Sequence, residues 1–235
     1  MALEEEERRR LTSARLTFNA PLGEPRAEEL VGWLADAGPA TVLDLGCGTG
    51  ELLLRVVAAT GASGTGVDLD AAALELGRAR AAERGLTDRL SLVEGDAAAW
   101  SGAADAVIAI GAAHAWGGGA AEALAGLRTH VTDGGRLLYG DGVWELEPTS
   151  ELRGIFGGLP DLAGLVQQAA AAGFRVLRHT TSTLAEWDAF EAGWREGLEL
   201  SDDPDARELA AERRAEYVGG YRGTLGFAWL LLAPG

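Results

Sequence analysis

Between Ala40 and Tyr139, short apolar runs alternate with Ala- and Leu-rich stretches whose apolar positions recur at helical spacing. That alternation is the signature of repeated strand–helix units around a parallel sheet. The runs predict strands at 40–45, 64–69, 89–94, 105–110 and 135–140, and the stretches between them predict helices at 51–60, 71–84 and 119–131. Gly85, Gly102 and the Asp133-Gly134-Gly135 turn punctuate the pattern. Beyond residue 141 the sequence predicts a Gly- and Pro-bearing loop, a helix from about 162 to 172 and a strand over 174–180. Residues 184–222 carry Glu, Asp, Arg and Trp at helical spacings and read as a helical insertion before a last strand in the apolar run 223–233. With 235 residues and 47% hydrophobic content, the chain builds one substantial core. The expected organisation is a single domain over 1–235, with a helical arm at 1–39 and a candidate substrate lid at 184–222.

The most informative run is Thr41-Val42-Leu43-Asp44-Leu45-Gly46-Cys47-Gly48-Thr49-Gly50, an apolar strand ending in an acid and three alternate glycines. Residues without Cβ let the backbone turn sharply off the strand tip and approach a ligand, while the helix from about Glu51 aims its N-terminus at the same place. A dinucleotide site wants G-x-G-x-x-G, with its third glycine opening the next helix. Here that position is Glu51, which would face a pyrophosphate with charge. Asp68 ends the second strand, 18 residues after Gly50, near the spacing at which nucleoside-binding folds offer a carboxylate to ribose hydroxyls. Asp96 follows the third strand. Ligands bind at the carboxyl edge of such sheets, so the ordered set of glycine loop, Asp68 and Asp96 says more than any member alone.

The run resembles the first motif of class I S-adenosylmethionine (SAM)-dependent methyltransferases, an acidic residue followed by G-x-G-x-G, which Asp44, Gly46, Gly48 and Gly50 match position by position. The resemblance implies a Rossmann-like α/β fold: a seven-stranded, mostly parallel sheet flanked by helices, with the last strand antiparallel. It also implies SAM as cofactor and S-adenosylhomocysteine as product. By the resemblance Asp68 takes the ribose, Leu69 packs on adenine and Asp96 accepts from the adenine amino group, with Cys47, Ala97 and Gly111 along the same cofactor site. Asp70 can instead cap the next helix. The segment Leu16–Leu22, with its Asn19-Ala20-Pro21 turn, together with His114, Trp144-Glu145 and the Trp187 to Trp194 stretch, resembles a little-characterised bacterial group of this family. There this arm folds over the SAM site, which makes Asn19 a cofactor candidate.

Charge and cysteine content narrow the partners. The formal net charge is −16 and all 20 basic residues are arginine. A protein that binds nucleic acid by releasing phosphate counterions needs a basic surface, and no Arg-rich stripe with interleaved aromatics is present. The expectation is therefore no nucleic-acid partner and no anionic membrane surface. Cys47 is the sole cysteine, so no intrachain disulfide forms. It reads as a small residue packed in the turn rather than a nucleophile. No Cys/His cluster has zinc-ligand spacing, and no metal is expected. The stretch Met1 to Arg10 lacks the apolar run of a signal peptide, and the expected location is the cytoplasm. Glu4, Glu5 and Glu6 stand four residues before Arg8, Arg9 and Arg10, the register of helical ion pairs.

Past the fourth strand, Gly111 leads to His114 and Trp116 in a stretch of small residues that should lie below the transferred methyl group. The (Asp/Asn)-Pro-Pro-(Tyr/Phe) segment of nucleic-acid amino-methyltransferases and the Pro-Cys of cytosine C5 enzymes are both absent there. The near-neutral imidazole of His114 suits removal of a proton from a hydroxyl or ammonium nucleophile, although it can equally hydrogen-bond the loop backbone. His130 and His179 read as structural. Asp141, Trp144 and Glu145 lie where they can reach a substrate, and aromatic faces with carboxylates suit a cationic sulfonium or an amine. Trp144 can equally anchor the following loop. Trp187, Trp194, Tyr217 and Tyr221 are candidate lid residues over the acceptor, with at least one of the two tryptophans, seven positions apart on one helix face, expected in the core. The function expected is methyl transfer from SAM to a small-molecule acceptor through an O, N or S nucleophile. The competing readings are a SAM-binding regulator or scaffold that transfers nothing, and an enzyme acting on protein or RNA.

Overall fold

A computed structural model describes residues 5–12 and 16–235. The elements in chain order are α1 (Glu5–Thr12), α2 (Glu24–Ala35), β1 (Thr41–Leu45), α3 (Glu51–Thr60), β2 (Ser63–Asp68), α4 (Ala71–Glu83), β3 (Leu90–Glu94), β4 (Ala104–Ile110), α5 (Ala120–Leu127), β5 (Val131–Trp144), α6 (Ser150–Phe156), α7 (Leu162–Ala171), β6 (Phe174–Thr181), α8 (Leu184–Glu199), α9 (Pro204–Glu216), a π-helical turn (Tyr217–Tyr221) and β7 (Leu225–Pro234). The strands form one seven-stranded sheet in the order β3-β2-β1-β4-β5-β7-β6. β1 to β5 pair in parallel, and β7 runs antiparallel to both β5 and β6. The expected mostly parallel sheet with an antiparallel last strand is therefore the observed one.

Side-chain alternation divides the interior into two layers. Val42, Ala106, Ile108 and Leu138 point with Trp144 and Trp229 toward α2, α3 and the 184–222 insertion. Leu43, Leu45, Val107, Leu137 and Tyr139 point toward α5 and α7. β7 is buried along nearly its whole length because it lies between β5 and β6 with both faces covered, which explains its unbroken apolar run.

Three boundaries differ from the sequence expectation. α5 ends at Leu127 and β5 already begins at Val131, so the expected Asp133-Gly134-Gly135 turn lies within the strand, where the register against β4 shifts between Ala104 and Ala106. β5 continues to Trp144 instead of stopping near 140, because Asp141 and Gly142 stay paired with Ala228 and Phe227 of the neighbouring β7. Within the expected loop after residue 141, α6 forms one short helix, started by Thr149, whose hydroxyl accepts from the Leu152 N–H at 3.3 Å. In the N-terminal arm, Glu4 and the side chains of Glu5, Glu6 and Arg9 lie outside the described residues; α1 shows Glu7 and Arg10 3.6 Å apart.

The insertion docks on the arm through its own cap. Thr183 and Glu186 form a reciprocal capping box at the start of α8. Glu186 also accepts from Arg26 at 3.1 Å and from the Gly23 N–H at 3.3 Å. The adjacent Ser182 donates to the Pro21 carbonyl at 2.6 Å and accepts from the Trp229 indole at 2.9 Å. Residues 21–26 are thereby tied to α8 and β7 beside the carboxyl edge of the sheet.

Candidate active site

The chain leaves β1 and turns at Gly46, whose φ is +80°, and again at Gly48, whose φ is +54°. An added Cβ at Gly46 would stand 2.6 Å from the Ala112 methyl, whereas one at Gly48 would point into open space. Gly46 is thus constrained by the β4 exit loop, and Gly48 presents bare backbone to whatever binds there. The loop is held by the end of β2: Val67 O accepts from the N–H groups of Gly46 (2.9 Å) and Cys47 (3.1 Å). Asp68 accepts from Gly48 N–H at 2.6 Å with one carboxylate oxygen and from Asp70 N–H at 2.9 Å with the other. Asp68 therefore shapes the loop with lone pairs left over for a ligand. Asp70 caps α4 through Ala72 and Ala73, and Asp96 accepts from Ala98 N–H at 2.9 Å in the turn after β3, beside the buried Ala97. Leu69 stands 72% exposed next to the Asp68 carboxylate, free to cover a ligand held there.

Asp44 is buried and, among the described residues, its carboxylate receives no hydrogen bond. Burial, and secondarily the charge of Asp68, push its carboxyl up to about 8. A buried carboxylate without a donor, beside a loop of bare backbone, fits a ligand that brings a positive charge and several hydrogen-bond donors. Cys47 is pushed far above the ordinary thiol range by burial and by Asp44 and Asp68, which rules it out as a nucleophile at neutral pH.

Glu51 turns away from the loop. It is buried between α3 and α4, where Arg84 donates at 2.9 and 2.8 Å, Arg55 at 2.8 Å, and Arg80 approaches to 3.6 Å. Arg80 also donates to the Thr49 hydroxyl at 3.1 Å, so this ion cluster braces the loop from behind. Gly77 on α4 belongs to the same brace: a Cβ there would meet Thr49 O at 2.5 Å. The sequence signal for Gly77 is an isolated glycine in a helical pattern, which marks close approach of backbone.

On the acceptor side, Gly111 (N–H to Gly140 O, 2.8 Å) extends the β4–β5 pairing and sets the two strand exits side by side. His114 is exposed on the short helical turn Ala113–Trp116. Trp116 lies against Gly126 of α5, in the layer opposite Trp144, and the structure does not bring it to the other aromatic candidates. Asp141 projects from β5 beneath this turn, accepting from Tyr139 O–H at 2.8 Å and Gly142 N–H at 2.7 Å. Burial raises its carboxyl while those two donors and the charge of His114 pull it down. Trp144 joins Phe156 (centroids 6.1 Å), Phe156 joins Tyr221 (5.0 Å), and Tyr221 joins Trp187 (6.3 Å), all edge to face. The sequence pattern does not mark Phe156, which carries this chain of contacts from a short helix inside a stretch that reads as loop. Glu145 is exposed, its side chain over Gly226. Asn19 is exposed in the arm next to Phe18, whose ring lies under Arg55 at 4.9 Å. Trp187 enters the main core, whereas Trp194 packs in a separate cluster with Leu198, Ala206 and Ala210, its ring 4.6 Å from Arg213. His130 is structural, its Nδ1 2.7 Å from Gly102 O.

A parallel sheet in this order, with an acid-tipped first strand and a glycine loop braced against α4, defines the chain as a member of the class I SAM-dependent methyltransferases, and it is an enzyme of that class. A family model described as a methyltransferase domain matches residues 42–135. The uncharacterized protein YjhP of Escherichia coli (strain K12) is 32% identical over 187 residues, 74% of each chain. The crystal structure of a SAM-dependent methyltransferase from Geobacter sulfurreducens in complex with S-adenosylhomocysteine superposes with a TM-score of 0.86 at 26% identity, covering 100% of this chain and 99% of that one. A SAM-dependent methyltransferase from Thiobacillus denitrificans, also in complex with S-adenosylhomocysteine, gives 0.82 at 25% identity with both chains fully covered.

Proposed function

We propose that the protein methylates a small-molecule acceptor at an O, N or S nucleophile, with the 184–222 insertion serving as lid. The observation that carries this reading is the aromatic cluster of Trp144, Phe156, Tyr221 and Trp187, which lies on the same sheet face as Asp44 and is roofed by α8 and the π-helical turn. Ring walls of this kind suit a compact organic molecule. The net charge of −16 disfavours a nucleic-acid acceptor.

SAM supplies an electrophile that is already activated, a methyl group on a sulfonium. The chain's work is then binding, alignment and, where needed, proton removal. Asp44 offers its carboxylate to the ammonium of the cofactor's amino-acid part, the bare backbone at Gly48 allows close approach, and Asp68 and Asp96 keep acceptor lone pairs for ribose and adenine. Leu69 covers the base. His114 takes the proton of a hydroxyl or ammonium nucleophile, and Asp141, fixed by Tyr139 and Gly142, stabilises the imidazolium that results.

Incubation with methyl-labelled SAM and a bacterial extract, followed by separation of small molecules from macromolecules, tests the reading: label is expected in the small fraction, and label confined to protein or RNA overturns it. His114→Ala is expected to leave S-adenosylhomocysteine affinity unchanged and lower kcat about 100-fold, the scale of a positioned base. Turnover at the wild-type rate would remove His114 from the chemistry. Asp141→Asn, which keeps the shape of the side chain and removes its charge, should lower kcat about tenfold with S-adenosylhomocysteine affinity unchanged; wild-type kcat would show that Asp141 does not support the proton transfer.

A further inference from the structure

Trp144 and Trp187 are each more than nine-tenths buried, at 6% and 8% exposure, and both indole N–H groups lack an acceptor among the described residues. Buried orphan donors are rare, and two in the same cluster call for a common cause. Their edge-to-face neighbours, Phe156 and Tyr221, offer only ring faces, which are weak acceptors.

Placement sets both rings on the sheet face that carries Asp44. Asp44 pairs in register with Ile108, and Ile108 with Leu138, so these three share one row and one face. β5 then runs on from 138 to 144, about 20 Å at about 3.3 Å per residue, and the even-numbered alternation brings Trp144 back to that face beyond the sheet's carboxyl edge. Trp187 reaches the same cluster from α8, and Tyr221 from the π-helical turn, an irregularity that recurs at functional sites.

The polar groups behind the cluster are already matched. Glu191, fully buried, accepts from Tyr221 O–H at 2.7 Å and from Arg213 at 2.8 and 2.9 Å. Asp188 accepts from Tyr217 O–H at 2.8 Å and from two nitrogens of Arg222 at 2.8 Å each. Neither Arg213 nor Arg222 is left over for an anionic ligand, and neither Glu191 nor Asp188 for an ammonium. What the cluster offers is ring walls and two neutral donors.

We infer that Trp144 and Trp187 line the acceptor's recognition subsite, and that the acceptor is an uncharged aromatic ring carrying at least two oxygens, one accepting from an indole N–H and another methylated. This rests on the reading of the enzyme as acting on a small molecule, and it narrows the O, N or S nucleophile to oxygen. In the transfer, the free ring hydroxyl forms an O–CH3 bond as the carbon–sulfur bond breaks, the sulfur keeps the bonding pair and becomes neutral, and the hydroxyl proton passes to His114.

The test uses the full chain saturated with S-adenosylhomocysteine, whose own affinity is measured first so that failure of cofactor binding is seen separately. Four probes are then titrated by calorimetry: 2,3-dihydroxynaphthalene, naphthalene, 2-naphthoate and 2-naphthylmethylammonium. The dihydroxy probe is expected to bind most tightly. Trp144→Phe and Trp187→Phe, which keep a ring and delete the donor, should each weaken it about tenfold while leaving naphthalene unchanged. Phe156→Leu, which removes a wall instead, should weaken both neutral probes. Tighter binding of either charged probe, equal losses for both neutral probes in the tryptophan variants, or no probe binding to wild type with S-adenosylhomocysteine bound would overturn the inference.

Discussion

Gly46→Arg abolishes cofactor binding, and even Gly46→Ala should weaken S-adenosylhomocysteine about 100-fold. Two costs coincide at this position. The backbone sits at φ +80°, where a residue with a Cβ pays about 1–2 kcal/mol. The new methyl would also stand 2.6 Å from the Ala112 Cβ, so either the β1 exit or the β4 exit must shift. Both exits border the candidate cofactor site: Gly46 N–H holds the loop to Val67 O, and Ala112 precedes His114. Isothermal calorimetry with S-adenosylhomocysteine, beside a thermal melt, measures the effect. Gly48→Ala is the informative partner, because a Cβ there meets nothing within the protein. Its melt should fall by less than that of Gly46→Ala, while its affinity should fall through obstruction of the ligand. Near-wild-type affinity in Gly46→Ala would show that the loop can relax without cost and that its geometry does not set binding.

The half of the molecule that carries the glycine loop was legible in the sequence because it is built from local rules. Strand, glycine turn and helix follow one another within 41–60, and Asp70 follows the capping preference of a short acid before a helix. Glu51 shows the limit of that reading. Its position implied a charge facing the ligand, yet its partners Arg80 and Arg84 lie on and just past the next helix, about 30 residues away, and only tertiary packing turns it inward. The acceptor half was less legible for the same reason. Asp141-Gly142 reads locally as a turn, but pairing with β7, some 85 residues later, keeps it extended and so carries Trp144 over the edge. Trp187 and Trp194 share a helix face but serve different clusters, because α8 meets the sheet with its first half and α1 and α9 with its second. Periodicity reports which face is buried, not against what.

The second large effect concerns pH and Asp44. With its carboxyl at about 8, the ligand-free enzyme carries a proton on Asp44 at neutral pH, whereas the unfolded chain releases it near pH 4. Between these limits the folded state holds the extra proton, so this group lowers the stability of the ligand-free protein as pH rises from about 4 to about 8 and has no further effect above. Binding has the opposite slope. A cofactor ammonium requires the ionised carboxylate, whose population grows about tenfold from pH 6 to pH 7 and levels off above 8. S-adenosylhomocysteine affinity should therefore rise about tenfold between pH 6 and 7, level off above pH 8, and be accompanied by release of close to one proton at pH 6, measurable as a dependence of the calorimetric heat on buffer ionisation enthalpy. Asp44→Asn should bind more weakly at pH 8, lose both the slope and the proton release, and melt at a temperature that falls less from pH 5 to 8 than that of the wild type. If the slope survives in Asp44→Asn, the titrating group is another one and Asp44 does not receive the ammonium; if wild-type affinity is flat from pH 6 to 8, the carboxylate is already ionised before the ligand arrives.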